Sequence, residues 1–112
     1  AMHENVAAVL VEPIQGEAGI VIPPEGFLRR LREITDRHRS LLVMDEIQSG
    51  LGRTGRLFAY EHEGIRPDIV IIGKALSGGM YPVSAILADD EVMGVFRPTV
   101  AIRSVLQSRA RQ

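Results

Sequence analysis

Four short apolar runs set the rhythm of the chain: Val6–Val11, Leu41–Met44, Asp68–Ile72 and Val83–Ala88. The first three are continuous rather than alternating, a pattern that predicts strands buried on both faces, as in a parallel sheet. Glu12-Pro13 closes the first run, because proline cannot donate to a ladder, and 13–24 reads as a loop containing Gly16, Gly19 and Pro23-Pro24. Residues 25–39 then predict an amphipathic helix. Phe27, Leu31, Ile34 and His38 recur at helical spacing, and Leu28 widens the stripe. Pro24 stands at its start and Arg37, His38 and Arg39 near its end, where the helix dipole favours cations. His38 reads as a stripe-edge histidine, since no second histidine is placed to share a metal. Residues 6–45 thus form a strand–helix–strand unit, which implies parallel pairing and a right-handed crossover. Shorter helices are expected around 57–63 and over 89–96, and the whole pattern is α/β.

The 112 residues suit one domain with a small core, and 46% hydrophobic with 24% charged residues is the balance of a folded chain. A net charge of −1 favours neither nucleic acid nor an anionic membrane as partner. The absence of cysteine removes disulfides, thiolate metal sites and cysteine nucleophiles together, and is compatible with a cytoplasmic location. The apolar runs are too short to cross a bilayer, and no basic segment precedes an apolar one as in a secretory leader. The segment 99–112 differs from the rest: it carries Arg103, Arg109 and Arg111 and no acid, and reads as a solvated tail.

The stretch Val43–Gly55, VMDEIQSGLGRTG, admits three chemistries. An apolar run ending in Asp45-Glu46 resembles the magnesium strand of a nucleotide hydrolase, but that chemistry needs a Gly-Lys-Ser/Thr phosphate loop, and Gly73-Lys74 is followed by Ala75. Gly50-x-Gly52-x-x-Gly55 spells a dinucleotide fingerprint, yet its glycines do not sit directly between a strand and a helix, and the acid at the expected distance, Asp68, begins a strand. The third pairs Asp45, ending one strand, with Lys74, just past another. Ligands of parallel sheets gather beyond the carboxyl ends of strands, and pyridoxal 5'-phosphate needs a lysine for its aldehyde and an acid for its pyridine nitrogen. Spacing alone leaves this reading level with a salt-bridged aspartate and an ordinary surface lysine.

Longer motifs carry more. VEPIQGEAG (11–19), MDEIQSGLGRTGRLFAYEHEGIRPDIVIIGKALSGGMYPVSA (44–85) and DDEVM (89–93) resemble class III, fold-type I aminotransferases, and within them the ornithine aminotransferase group. GKALSGGMYPVSA separates that group from the acetylornithine and 4-aminobutyrate enzymes in this reading. The resemblance implies that Lys74 is the Schiff-base lysine and proton shuttle, and that Asp45 pairs with the pyridine nitrogen. It further implies that Gln48 bonds the phenolic oxygen and Ile47 packs on a ring face. Glu17 is similar to the glutamate that masks a substrate-binding arginine in this group, Glu12 lies near the same site, and Ser77, Gly78 and Gly79 shape the loop after the lysine. The implied substrates are a small amino acid and a 2-oxoacid, the implied assembly a homodimer.

The resemblance lapses after Pro98. Residues 1–98 are expected to form part of a pyridoxal-phosphate-binding large domain, a mostly parallel sheet with flanking helices, and 99–112 a divergent basic tail. Ser104 falls where the family has a phosphate-binding threonine, but its neighbours do not match, so the role does not carry over. The family's phosphate cup, ring-stacking aromatic and carboxylate-binding arginine have no counterpart here. The expectation is a truncated or frame-shifted chain, unstable or self-associating alone, needing complementary fragments for activity or acting only as a subunit-association module.

Overall fold

The computed structural model describes residues 5–95. A four-stranded sheet in the order β1-β2-β3-β4 forms from β1 (Ala8–Val11), β2 (Leu41–Asp45), β3 (Ile69–Ile72) and β4 (Ala85–Ala88). β1, β2 and β3 are parallel, with Leu10 opposite Val43 and Asp45 opposite Ile71, whereas β4 returns antiparallel with Ile72 opposite Ala85. This is the mixed α/β architecture expected. The 99–112 tail, Ser104 and the end of the helix expected over 89–96 lie outside the described residues; the described part of that helix is α2 (Asp90–Met93).

Helix α1 (Phe27–His38) crosses from β1 to β2 and covers one face of the sheet. Its Leu28 packs with Leu42 and Met44 of β2, and Val9, Val11, Leu31, Phe27, Tyr60 and Ile65 close around them. Of the expected stripe, Leu28 is buried and Phe27 and Leu31 pack on the core, but the buried line ends on Thr35 and His38 is exposed. Thr35 tolerates full burial because its hydroxyl donates to the helix's own Leu31 and Arg32 carbonyls, each at 3.0 Å. The helix ends at Arg39 in the left-handed region (φ 54°), and Ser40 then ties the turn to the first strand by donating its hydroxyl to the Val6 carbonyl at 2.6 Å.

β2 is buried as expected, but β1 is not: Leu10 is 61% exposed. β1 is the edge of the described sheet, and only its Val9 and Val11 side reaches α1. Between the sheet elements, residues 59–63 and 74–77 form 3-10 turns, the first shorter than the helix expected there. Asp68, the acid that could have answered a dinucleotide ribose, is a structural clamp. Its Oδ2 accepts the Leu42 amide at 2.7 Å and the Arg32 guanidinium at 2.8 Å, and Arg32 also pairs with Asp36. Replacing Asp68 by Ala orphans the amide of a buried strand and takes one partner from a largely buried guanidinium, which keeps Asp36 and the Arg66 carbonyl. The expected cost is about 2–3 kcal/mol in urea unfolding, against about 0.5 kcal/mol for removing the exposed Asp36 carboxylate.

Candidate active site

The carboxyl ends of β2 and β3 lie side by side, so the loops leaving them share one edge of the sheet. Asp45 ends β2, and its Oδ1 accepts the Ile47 amide at 3.0 Å, a short turn that aims the chain past the sheet. Beyond β3, Gly73 is extended and Lys74 enters the left-handed region at φ 40°, a strained conformation for a residue with a side chain. Ser77 steadies the turn that follows: its Oγ accepts the Gly79 amide at 3.2 Å, and Gly78 and Gly79 take positive φ.

Lys74 stands half-exposed in an open groove of about 440 Å³ with Ile47, Gly73, Tyr81, Pro82, Val83 and Ser84. It is the only lysine in the chain. Its Nζ lies 3.6 Å from Glu17 Oε1, and the same oxygen accepts a hydrogen bond from Gln48 Nε2 at 3.0 Å. The structure therefore joins Lys74, Glu17 and Gln48 by contact and sets Ile47 on the groove wall. Asp45 is linked through the Ile47 amide, not to Lys74 directly. Glu12 is turned elsewhere: its Oε2 accepts the Gly16 amide at 3.2 Å and so braces the loop that carries Glu17.

Two glycines make room for this arrangement. A Cβ on Gly16 would lie 2.5 Å from Gln48 Nε2, and one on Gly73 would lie 3.3 Å from Ile47 Cγ2. Tyr81, Pro82, Val83 and Ser84 are groove residues that the sequence reading quoted within a motif without giving them a place in the site; their only signal was following the lysine closely. Gly52 and Gly55, by contrast, adopt positive φ in a turn-rich loop with no helix opening after them, so they do not form a dinucleotide cradle.

The groove suits the aldehyde and ring of pyridoxal phosphate. It offers an amine, apolar walls and, where the Gly73 side chain is missing, a narrow approach to Ile47. Its polar side chains are Lys74, Tyr81 and Ser84, a sparse donor set for a phosphate. Among the described residues no cluster of His, Asp and Glu could hold a metal, and no helix is long and apolar enough to cross a membrane.

Glu46, next to Asp45, is 1% exposed. Its carboxylate accepts the Ser49 hydroxyl at 2.6 Å and the Tyr60 amide at 3.0 Å. Burial pushes its pKa above the usual 4.5, and the bonds from Ser49, Tyr60 and Ala59 only partly oppose that shift.

Two outcomes are expected. Gly16→Ala leaves stability within about 0.5 kcal/mol, because only the flexible end of Gln48 must move, but it shifts the Gln48 side-chain amide signals in NMR spectra. For Glu46 the folded chain binds the proton more tightly than the unfolded chain. Its contribution is therefore greatest below pH 4.5 and falls as the pH rises through 4.5 toward the raised value. Glu46→Gln abolishes that slope, so wild type minus variant stability, from urea titrations at stepped pH, declines over this window.

Known proteins resemble the chain over most of its length. The model of the family "Aminotransferase class-III" matches residues 1–101. Ornithine aminotransferase 2 of Staphylococcus saprophyticus is 58% identical over 98 residues, 88% of this chain and 25% of that protein. Among solved structures, ornithine aminotransferase from Plasmodium yoelii superposes with a TM-score of 0.83 at 49% identity, covering 85% of this chain and 25% of the other. Acetylornithine aminotransferase from Elizabethkingia anophelis gives 0.82 at 57% identity, with the same two coverages. The chain spans about a quarter of the length of these relatives. The four-stranded sheet is thus a portion of the fold-type I aminotransferase architecture, and the chain belongs to the class III aminotransferases.

Proposed function

We propose that this chain supplies the lysine-bearing part of a pyridoxal-phosphate-dependent aminotransferase that moves the δ-amino group of ornithine to a 2-oxoacid, giving glutamate 5-semialdehyde and an amino acid. The observation that carries the reading is the placement of the single lysine, half-exposed at a strand end in an apolar-walled groove and coupled through Glu17 to Gln48. Bound there, pyridoxal phosphate would supply the electron sink that transamination requires. Lys74 would hold the aldehyde carbon through Nζ and, once displaced by substrate, move a proton at the reacting carbon. Asp45 would keep the proton on the pyridine nitrogen, Gln48 would donate to the phenolic oxygen, and Ile47 would exclude water from one ring face.

Glu17 would decide which amine reaches the groove. Its carboxylate stands beside Lys74, and by resemblance it would mask a substrate-binding arginine, so that the δ-amino rather than the α-amino group reaches the groove. Relatives named for ornithine and for acetylornithine occur at comparable identity, so overall identity does not separate the two donors. The ornithine assignment rests on the resemblance of the GKALSGGMYPVSA segment and on Glu17. A homodimer, or complementary fragments, would complete the phosphate and carboxylate sites.

A second reading has its own observation. Leu10, Ile86, Met80 and Tyr81 are exposed apolar side chains, as expected of a chain that associates with a larger partner without catalysing anything itself.

Reductive trapping separates the two. With micromolar pyridoxal phosphate and borohydride, the folded chain is expected to carry the label at Lys74, and Lys74→Ala to lose it. In urea Lys74 labelling should drop at least tenfold at the same concentration, because the folded groove no longer favours that amine. Equal labelling of Lys74 in folded and unfolded chain would sink the site. Semialdehyde formation after adding the remaining parts of a relative tests the full reaction, and its absence despite Lys74 labelling would favour the association reading.

A further inference from the structure

Glu46 is the only charged residue among the fully buried side chains of the described structure, and the chemistry above does not use it. We propose that Glu46 is a positioning residue: its carboxylate clamps both ends of the 46–60 loop and thereby sets where Ile47 and Gln48 stand. What those two residues do for a cofactor rests on the proposed function, but the clamp does not.

The loop needs such a device. Between β2 and the 3-10 turn at 59–63 it has no strand or helix, and Leu51, Gly52 and Gly55 take positive φ. An unsupported segment of this kind samples many conformations, and ordering it costs conformational entropy at every residue. The carboxylate supplies order at two points far apart in sequence: Oε2 accepts from Ser49 Oγ at 2.6 Å and Oε1 from the Tyr60 amide at 3.0 Å. The backbone of the same residue is held as well. Its amide donates to the Ile71 carbonyl of β3 at 2.9 Å, and its carbonyl accepts the Gly50 amide at 2.9 Å. The approach at Gly50 is so close that a Cβ there would lie 2.7 Å from the Glu46 oxygen. Ile47 and Gln48 are therefore enclosed between fixed points at 46, 49 and 50. Gln48 in turn reaches Glu17, and Ile47 reaches the groove beside Gly73.

An apolar residue could fill the space but would leave the Tyr60 amide and Ser49 hydroxyl without an acceptor. A glutamine preserves the shape, one acceptor for Tyr60 and one donor for Ser49.

The test uses the full chain, with residue-resolved amide hydrogen exchange in the absence of cofactor and reductive trapping of pyridoxal phosphate as a second readout. Glu46→Ala is expected to raise exchange about tenfold or more at Ile47, Gly50 and Tyr60 while Leu42 and Val70 keep their protection, and Glu46→Gln to restore it. In parallel, half-maximal labelling of Lys74 should need about tenfold more pyridoxal phosphate in the Ala variant and return toward wild type in the Gln variant. Exchange raised equally at every amide, or confined to Tyr60 with Ile47 unchanged, would overturn the proposal, as would a Gln variant as loose as the Ala variant. If Glu46→Ala does not fold, Glu46→Asp, which keeps the charge but shortens the reach, takes its place with the same expectation. Failure of the wild-type chain to label at Lys74 would count against the functional reading, while the exchange pattern would still decide the clamp.

Discussion

The packing of Leu42 and Met44 on Leu28 is the constraint from which the site follows. Side chains alternate along a strand, so burying positions 42 and 44 against α1 places Asp45 on the opposite face and returns Glu46 to the covered side. A slip of one residue would exchange the two carboxylates, burying Asp45 among Ser49 and Tyr60 and turning Glu46 toward the open face. The parallel register carries the same decision to the next strand. With Asp45 opposite Ile71, Gly73 and Lys74 emerge just beyond β2's own carboxyl end.

From there the site is held more by shape than by charge. The Lys74–Glu17 pair, at 3.6 Å between two largely exposed groups, contributes little to stability, because water screens it. What keeps Gln48 near Glu17 is the bare backbone of Gly16, and what lets Ile47 face the groove is the bare backbone of Gly73. Hydrogen bonds donated by backbone amides, Tyr60 to Glu46 and Ile47 to Asp45, fix the intervening turns. Such an arrangement is held in its loops while leaving the lysine side chain half-exposed.

The sequence made the sheet legible because its strands are continuous apolar runs, and Asp45 and Lys74 legible because they end such runs. It did not disclose which runs have both faces covered. Val6–Val11 reads like Leu41–Met44, yet the first is an edge and the second is central, a difference that depends on neighbours distant in the chain. The helix face was right at Phe27, Leu28 and Leu31 and missed at its end, because Thr35 is polar by type and buried by virtue of hydrogen bonds to its own helix, which hydrophobic periodicity cannot register. Asp68, already out of place for a ribose because it begins a strand, is occupied by Arg32 and the Leu42 amide, a clamp the sequence does not signal. Gln48 and Glu17 were assigned by resemblance alone, since nothing in their spacing signals a contact 31 residues apart. Glu46 was weighed only as a second catalytic carboxylate; its burial is a property of the folded loop, not of the motif.

The exposed apolar residues connect stability to chemistry. α1 covers the Val9, Leu42 and Met44 side of the sheet, and the register places Leu10, Val43, Ile69 and Ile71 with Ile86 on the other. Leu10 is 61% and Ile86 47% exposed, while Tyr81, on the groove itself, is 64% exposed. Fully burying a large apolar side chain contributes about 1.5–3 kcal/mol, so covering even a few of these is comparable to the whole net stability of a small domain. The same covering would remove water from around Tyr81 and Ile47, where a low dielectric strengthens every interaction with a bound ring and raises the reactivity of an amine. In this fold a covering that stabilises the sheet would also dry the groove around Lys74, so the proposed chemistry and the burial of the second face are coupled.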